Sequence, residues 1–208
     1  MLAIEDKARK SGFNFIIGID EAGRGPLAGP VVAAAVALRK YNFSTPIRDS
    51  KQLTALQREA AFHEIYPQAY VGIGIMNEHV IDQSNILQAT FLAMRNAVRD
   101  LVARLPESQV HRKNFSQKVC LLVDGNRFQA DLPYPYKTII RGDERVLSIA
   151  CASIVAKVTR DRILNIYHRV FPNYGFDQHK GYPTPKHKVA IRRFGLSLIH
   201  RRTFHCQL

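Results

Sequence analysis

The chain has 208 residues, 46% of them hydrophobic and 23% charged, a balance that predicts a globular protein and excludes an intrinsically disordered chain. Thirty lysines and arginines against seventeen aspartates and glutamates give a net charge of +13, so nucleic acid is the first partner to consider. No apolar run reaches the roughly 18 residues of a membrane span, which argues against a membrane protein.

The N-terminal part predicts a short helix over residues 3–11 and a strand over residues 13–20. The strand ends in two adjacent carboxylates, Asp20 and Glu21, before a turn rich in glycine and proline. Taken alone, this pair is either a solvated strand end or part of a site, because crowded carboxylates need compensating groups. The apolar run 31–38 fits a helix or a strand, and its shortness favours a strand paired with the first.

The middle of the chain predicts alternating helices and strands. Thr54 is placed to cap a helix that ends near residue 66, and residues 69–76 alternate small and branched side chains as strands do. Residues 86–105 form the clearest amphipathic helix, and residues 106–118 are polar enough to predict a loop.

Two later strands are also followed by acidic residues. Residues 119–123 are continuously apolar, which is typical of a strand buried on both faces, and they lead to Asp124. Residues 136–140 predict another strand, which leads to Asp143. Because open α/β sheets carry their sites at the carboxyl ends of the strands, we expect these acids to meet the first pair.

The C-terminal part predicts a long helix over residues 146–171. Thr184 and Pro185 suit the cap and first position of a last, basic helix that ends near residue 194. Lysine and arginine dominate this region, which predicts a surface that follows phosphates, although a tail kept soluble by its charge is the alternative.

The cysteines indicate a reducing compartment. Cys120, Cys151 and Cys206 are odd in number and lack the spacing of metal ligands, so we expect free thiols. Residues 1–7 lack the basic-then-apolar order of a signal peptide. We therefore expect a cytoplasmic protein.

Four carboxylates at one sheet edge would repel each other unless cations neutralise them. Oxygen ligands without a histidine or cysteine pattern favour Mg²⁺ or Mn²⁺ over Zn²⁺. A pair of such ions can activate water and stabilise the leaving oxygen of a phosphodiester. Together with the basic surface, the acids predict a nuclease.

Six motifs, in this order along nearly the whole chain, resemble those of bacterial ribonuclease HII. They are Ile19-Asp20-Glu21-Ala22-Gly23-Arg24-Gly25-Pro26-Leu27-Ala28-Gly29-Pro30-Val31, Asp49-Ser50-Lys51-Gln52-Leu53, Val123-Asp124-Gly125, Gly142-Asp143, Ala152-Ser153-Ile154-Val155-Ala156-Lys157-Val158-Thr159-Arg160-Asp161 and Gly181-Tyr182-Pro183-Thr184. The first motif is long enough to make a chance match very rare.

This resemblance implies an α/β protein with a ribonuclease H-like fold: a mixed five-stranded sheet with helices on both faces and a C-terminal helical extension. We expect the catalytic domain over residues 1–172 and a basic extension packed on it over residues 173–208. The implied activity is endonucleolytic cleavage of RNA in RNA·DNA hybrids, including cleavage 5′ of a single ribonucleotide in duplex DNA, with 3′-hydroxyl and 5′-phosphate ends. The implied cofactor is Mg²⁺ or Mn²⁺.

The resemblance also assigns residues. The catalytic, metal-binding carboxylates of the family fall on Asp20, Glu21, Asp124 and Asp143, and its substrate-binding residues fall on Gly23, Arg24, Gly25 and Tyr182. Glycine backbone can approach a sugar closely, and a 2′-hydroxyl is both donor and acceptor, so the Gly-Arg-Gly segment can distinguish ribose from deoxyribose. Tyr182 can stack on the sugar at the step from RNA to DNA.

Two lysines, Lys51 and Lys157, are candidate phosphate contacts, with simple solvation as the alternative. Asp161 is expected to be a surface or helix-pairing charge. A monomer is expected, and residues 204–208 show no obvious peptide for binding a sliding clamp, which puts such a partner in doubt.

Two other classes remain open at this point. A non-catalytic protein could bind hybrids with the same basic surface, although the presence of all four acids argues against it. A junction resolvase or an integrase-like transferase of the same fold would use similar carboxylates on all-DNA substrates.

Overall fold

The computed structural model describes residues 1–110 and 114–204. Within these ranges one sheet has the strand order β3-β2-β1-β4-β5. β1 pairs antiparallel with β2 and parallel with β4, while β3 is antiparallel to β2 and β5 is parallel to β4. The strands are β1 (Phe15–Ala22), β2 (Val31–Leu38), β3 (Ala69–Met76), β4 (Val119–Asp124) and β5 (Tyr136–Ile139). The expected mixed five-stranded sheet is confirmed.

The helices begin largely where the capping signals predict. Thr54 and Gln57 form a capping box at the start of α2, and Thr184 accepts a hydrogen bond from the amide of His187 at the start of α9. The helices are α1 (Ala3–Lys10), α2 (Ala55–Ile65), α3 (Glu78–Ser84), α4 (Ile86–Ala103), α5 (Glu107–Val110), α6 (Gly142–Arg145), α7 (Leu147–Val170), α8 (Phe176–His179) and α9 (Pro185–Phe194).

Alternation along β2 sends its side chains into two cores, one on each face of the sheet. Ala33 and Ala35 pack with the apolar face of α4, whereas Ala34 and Val36 pack with α2 and α7. Small residues allow close approach, since a Cβ added at Gly18 would lie 2.4 Å from the amide nitrogen of Ile149 in α7. The predicted helices on both faces are confirmed.

Three sequence predictions need correction. The first strand does not end at Asp20, because Asp20, Glu21 and Ala22 continue the antiparallel ladder with β2. Asp143 does not end a strand: β5 stops at Ile139, and Asp143 lies in the first turn of α6. The predicted loop over residues 106–118 contains α5 and a 3₁₀ turn, Phe115–Lys118, while residues 111–113 lie outside the described ranges.

The predicted free thiols are confirmed for Cys120 and Cys151, both of which are buried. Cys206 lies outside the described residues. Among the described helices, none combines the length and apolar character needed to cross a membrane.

The C-terminal region pairs with the glycine-rich turn between β1 and β2. The amide of Gly29 donates to the carbonyl of Ile199, and the amide of Arg201 donates to the carbonyl of Leu27, both at 2.8 Å. On the other side of the turn, the amide of Leu27 donates to the carbonyl of Gly181 at 2.8 Å. The turn is therefore held between two segments that follow it by about 150 residues or more in the chain.

Candidate active site

One cavity brings the predicted site residues together. It has a volume of about 250 Å³ and opens at the carboxyl ends of β1 and β4. Ile19 lies opposite Val123 in the parallel register, so the acids that follow them reach the same edge. All ten predicted residues line the cavity: Asp20, Glu21, Gly23, Arg24, Gly25, Lys51, Asp124, Asp143, Lys157 and Tyr182.

Asp20 and Glu21 occupy successive positions on β1, so their side chains leave the strand in opposite directions. Asp20 faces α7 near Ser153, and its Oδ1 accepts the amide of Glu21 at 2.7 Å. Glu21 also lines a neighbouring cavity beside Phe91 and Met94 of α4. The two carboxylates thus reach the site from different sides of the sheet.

Asp124 and Asp143 are linked through the local backbone. Oδ1 of Asp124 accepts a hydrogen bond from the amide of Gly142 at 2.7 Å, which fixes the start of α6. Asp143 follows in the first turn of α6, and the charge of the neighbouring Asp49 helps to raise its pKa. Asp49 also accepts the amide of Lys51 at 2.9 Å. Asp49 is therefore a fifth acid beside the site.

Crowding and burial raise the pKa values of these acids. Burial, followed by the charges of Glu21 and Asp124, raises the pKa of Asp20 well above its usual range. Burial raises the pKa of Glu21, although Arg24 opposes the shift. Burial and the charge of Asp124 raise the pKa of Asp143 to about 6. The neighbouring protein groups do not fully neutralise the negative charges of the ionised acids, and a bound cation would neutralise them.

The four predicted acids offer the oxygen donors that Mg²⁺ and Mn²⁺ prefer. Across residues 1–110 and 114–204, however, no three acidic, histidine or cysteine side chains converge closely enough to form a finished metal site. Two of the acids have protein partners instead: Glu21 accepts from Arg24 at 3.2 Å, and Oδ1 of Asp124 accepts the amide of Gly142. The residues fit a divalent cation in chemistry and location.

The glycine-rich turn lies beside the acids. Gly23 has a φ of +98°, and an added Cβ there would lie 2.1 Å from Nε of Arg160. At Gly25 an added Cβ would lie 3.6 Å from Cε1 of Tyr182, in ordinary contact. The absence of a side chain at Gly23 thus makes room for Arg160. That Gly25 leaves room for a sugar stays a prediction.

Two buried guanidinium groups donate hydrogen bonds to main-chain carbonyls of this turn. Arg160 of α7 donates to the carbonyls of Pro30 at 2.9 Å, Ala28 at 3.0 Å and Lys180 at 2.9 Å. Arg201 donates to other carbonyls of the same turn. Burial lowers the pKa of Arg160 to about 10 and that of Arg201 to about 9. Main-chain dipoles therefore solvate two charges that water does not reach.

The two lysines differ in their surroundings. Lys157 donates to Asp161 at 2.7 Å one turn further along α7, which confirms the expected helix-pairing role of Asp161. Although burial opposes the shift, the charges of Asp49 and Asp143 raise the pKa of Lys51. Lys51 thus neutralises part of the acidic site, and its contact with phosphate stays a prediction.

Comparison with known proteins identifies the family. The family model described as Ribonuclease HII matches residues 17–206. Ribonuclease HII of Chlorobium chlorochromatii is 48% identical over 198 residues, covering 92% of this chain and 90% of that protein. The Syntrophus aciditrophicus enzyme of the same name is 50% identical over 202 residues, covering 96% and 88%. The chain belongs to the ribonuclease HII family.

As a ribonuclease HII, the protein is a nuclease that hydrolyses the RNA strand of RNA·DNA hybrids. Its fold agrees with that of the ribonuclease HII chain in a PCNA complex from Archaeoglobus fulgidus, with a TM-score of 0.70 at 22% identity. That superposition covers 93% of this chain and 96% of the archaeal one. The ribonuclease H-like architecture predicted from the motifs is thereby confirmed.

Sequence reasoning gave no site role to four residues of this ribonuclease HII site, Asp49, Ser50, Ser153 and Arg160, although all four lie in the motifs that resemble the family. Asp49 lies beside Asp143, and the other three line the cavity. Helical spacing could have found two of them, because Ser153, Lys157 and Arg160 recur at i, i+4 and i+7 on one face of α7. The pairing of Ser50 with Ser153, whose hydroxyl oxygens lie 3.0 Å apart, depends on the tertiary fold.

Proposed function

We propose that this ribonuclease HII, besides hydrolysing RNA in hybrids, cuts duplex DNA on the 5′ side of a single embedded ribonucleotide and leaves 3′-hydroxyl and 5′-phosphate ends. The observation that supports this proposal most is the shared cavity. The acids at the ends of β1 and β4 line it together with the glycine-rich turn and Tyr182. A duplex bound there would present its sugar to the turn and its backbone to the acids.

Asp20, Glu21, Asp124 and Asp143 would hold Mg²⁺ or Mn²⁺ in this proposal. Bound divalent ions supply activation of water and stabilisation of the leaving oxygen. The role of the protein is to keep the acids at one edge of a rigid sheet. Arg24, which pairs with Glu21 in the described structure and has a half-exposed side chain, is free to turn toward phosphate once that pair opens.

Ribose would be read by the main chain of residues 23–25 together with Tyr182. The ring of Tyr182 is 44% exposed, so a sugar can pack against it. The turn is held rigidly by main-chain contacts on both sides, which suits recognition of one hydroxyl group. We assign phosphate contacts to Lys51 and, where its pair with Asp161 opens, to Lys157.

The division of the chain at residue 172 is part of the proposal. Leu164 of α7 packs with Tyr174, Phe176 and Ile199, so the described part of the extension shares a core with the catalytic domain. We propose a monomer that acts on hybrids and on ribonucleotide-containing duplexes.

The test uses three duplexes of one sequence: an RNA·DNA hybrid, a DNA duplex with one ribonucleotide, and an all-DNA control. With Mg²⁺ or Mn²⁺, we expect cleavage of the first two, with the second cut once, 5′ of the ribonucleotide. Labelled ends would show the 3′-hydroxyl and 5′-phosphate products. An intact single-ribonucleotide duplex would refute the proposal, and equal cutting of the control would point to a resolvase or transferase.

A further inference from the structure

We propose that His200 and Arg201 are positioning residues that hold the glycine-rich turn and Tyr182 at a fixed separation. This inference rests on the proposed reading of ribose by those two elements. Two consecutive residues near the C-terminus reach in different directions: Arg201 contacts the turn directly, and His200 reaches Tyr182 through His187. The pair would set the geometry in which a ribonucleotide is recognised.

Arg201 contacts the turn through main-chain carbonyls. Its guanidinium donates to the carbonyls of Gly23, of Arg24 at 3.0 Å and of Gly29 at 2.8–2.9 Å. The side chain is 2% exposed. A lysine carries its three donors on one nitrogen, whereas the planar guanidinium carries donors on three separate nitrogens and so reaches carbonyls at both ends of the turn.

Donors in the backbone determine the histidine tautomers. The amide of Ser197 donates to Nδ1 of His200 at 2.9 Å, so the proton of His200 lies on Nε2. That nitrogen donates to Nε2 of His187 at 3.0 Å, so His187 carries its proton on Nδ1 and donates it to the carbonyl of Tyr182 at 2.9 Å. Each hydrogen bond in the chain from Ser197 through His200 and His187 to Tyr182 therefore has one donor and one acceptor when both imidazole rings are neutral.

A third ring supports the same loop. The imidazole of His179 stacks on that of His187 with ring centroids 4.3 Å apart, and its Nδ1 accepts the amide of Gly181 at 3.2 Å. The loop residues before and at Tyr182 are thus both fixed by imidazoles. Because Tyr182 is 44% exposed, these main-chain contacts help to orient its ring.

Kinetics distinguish a positioning role of His200 and Arg201 from a role in stability alone. Loss of stability reduces the amount of folded enzyme and leaves kcat per folded molecule unchanged. Loss of positioning lowers kcat of the folded enzyme, while KM, which depends mostly on phosphate contacts, changes little. The split between kcat and KM therefore separates the two explanations.

The first test is Arg201→Lys, measured well below the melting temperature and normalised to folded protein by circular dichroism. On the single-ribonucleotide duplex we expect kcat to fall on the order of 10- to 100-fold, since small misplacements have effects of this size. Arg39→Lys is the matched control, because Arg39 also donates to a main-chain carbonyl, that of Pro67, but far from the cavity. An unchanged kcat for Arg201→Lys would overturn the assignment.

The second test follows the histidines. His187→Phe keeps an aromatic ring without the donor, whereas His187→Asn keeps a donor close to the Nδ1 position. We expect kcat to fall with phenylalanine and to recover with asparagine. In a Tyr182→Ala background, His187→Phe should have little further effect, because interacting residues are not additive. Additive losses would show that His187 acts independently of Tyr182.

The wild-type enzyme separates this inference from the proposed function. If it leaves the single-ribonucleotide duplex intact, the proposed function fails, and the same variants decide the positioning role on the hybrid. If it cuts that duplex and the variants keep full kcat on both substrates, the positioning inference fails while the proposed function stands.

Discussion

Asp124 is the acid whose replacement is expected to disturb the fold least. Its Oδ1 accepts the amide of Gly142, and asparagine can accept the same hydrogen bond. We expect Asp124→Asn to fold normally and to lose kcat by about 10²–10³-fold or more, as for the loss of a principal electrostatic group. Binding of the hybrid should stay equal or tighten, because one negative charge facing the phosphates is removed.

Hybrid cleavage with Mg²⁺ and equilibrium binding without metal would measure these two effects. Asp131→Asn, at an exposed position of the loop before β5, is the control and should keep wild-type kcat. Full turnover by Asp124→Asn would show that Asp124 is not a catalytic residue.

Gly23 combines two constraints, positive φ and close packing against Arg160. Gly195 also has positive φ, +74°, but no atom lies within 4 Å of an added Cβ there. Both alanine variants should lose about 1–3 kcal/mol of unfolding free energy from backbone strain. Gly23→Ala should lose a further 1–3 kcal/mol or so through overpacking.

Urea unfolding of the two variants gives the comparison directly. Equal losses at Gly23 and Gly195 would mean that Arg160 moves aside without cost. In that case the turn is less rigid than its hydrogen bonds to Arg160 indicate.

Among the elements, α4 packs on β3 with almost no space between the backbones. A Cβ at Gly74 would lie 1.9 Å from the carbonyl oxygen of Ala93, and one at Gly72 would lie 2.1 Å from that of Ala97. We expect Gly74→Ala to lower the free energy of unfolding by about 1–3 kcal/mol, because the helix must shift outward.

Ile75→Ala is the matched change on the same strand. Ile75 is 45% exposed, and its loss should alter stability by only about 0.5 kcal/mol. Equal midpoints of urea unfolding for Gly74→Ala and Ile75→Ala would contradict the close packing of α4.

The elements show where sequence reasoning succeeds. α2 and α9 begin at Thr54 and Thr184 because a side-chain oxygen there satisfies a free amide, which is a local effect. The extent of β1 is a non-local effect. Its acids stay in strand conformation because β2 pairs with them, and no pattern around Asp20 reports that partner.

For the molecule as a whole, buried histidines make stability sensitive to acid. Burial lowers the pKa values of His187 and His200 to about 4, against about 6.5 in an unfolded chain. Between these values the unfolded chain binds more protons, so these groups lower the stability as the pH falls from about 6.5 to about 4. The raised pKa values of Asp20, Glu21 and Asp143 act in the opposite direction.

Comparing variants isolates the histidine contribution, because the acids are common to all of them. When the pH falls from 7.5 to 5.0, we expect the unfolding free energy of His200→Phe to decrease less than that of the wild type. His63→Phe, at an exposed position of α2, should match the wild type. The same change in all three proteins would show that His200 is not protonated on unfolding.

The sequence by itself determined the sheet composition, most helix starts and the ten residues expected at the site. Hydrophobic periodicity and capping act within a few residues, and the motifs resembling ribonuclease HII mark the acids individually. Only the tertiary structure decided what surrounds them. Asp49 reaches Asp143, and Arg201 reaches the turn at Gly23, across 94 and 178 residues of chain. Such contacts depend on how distant segments pack, which short-range patterns do not encode.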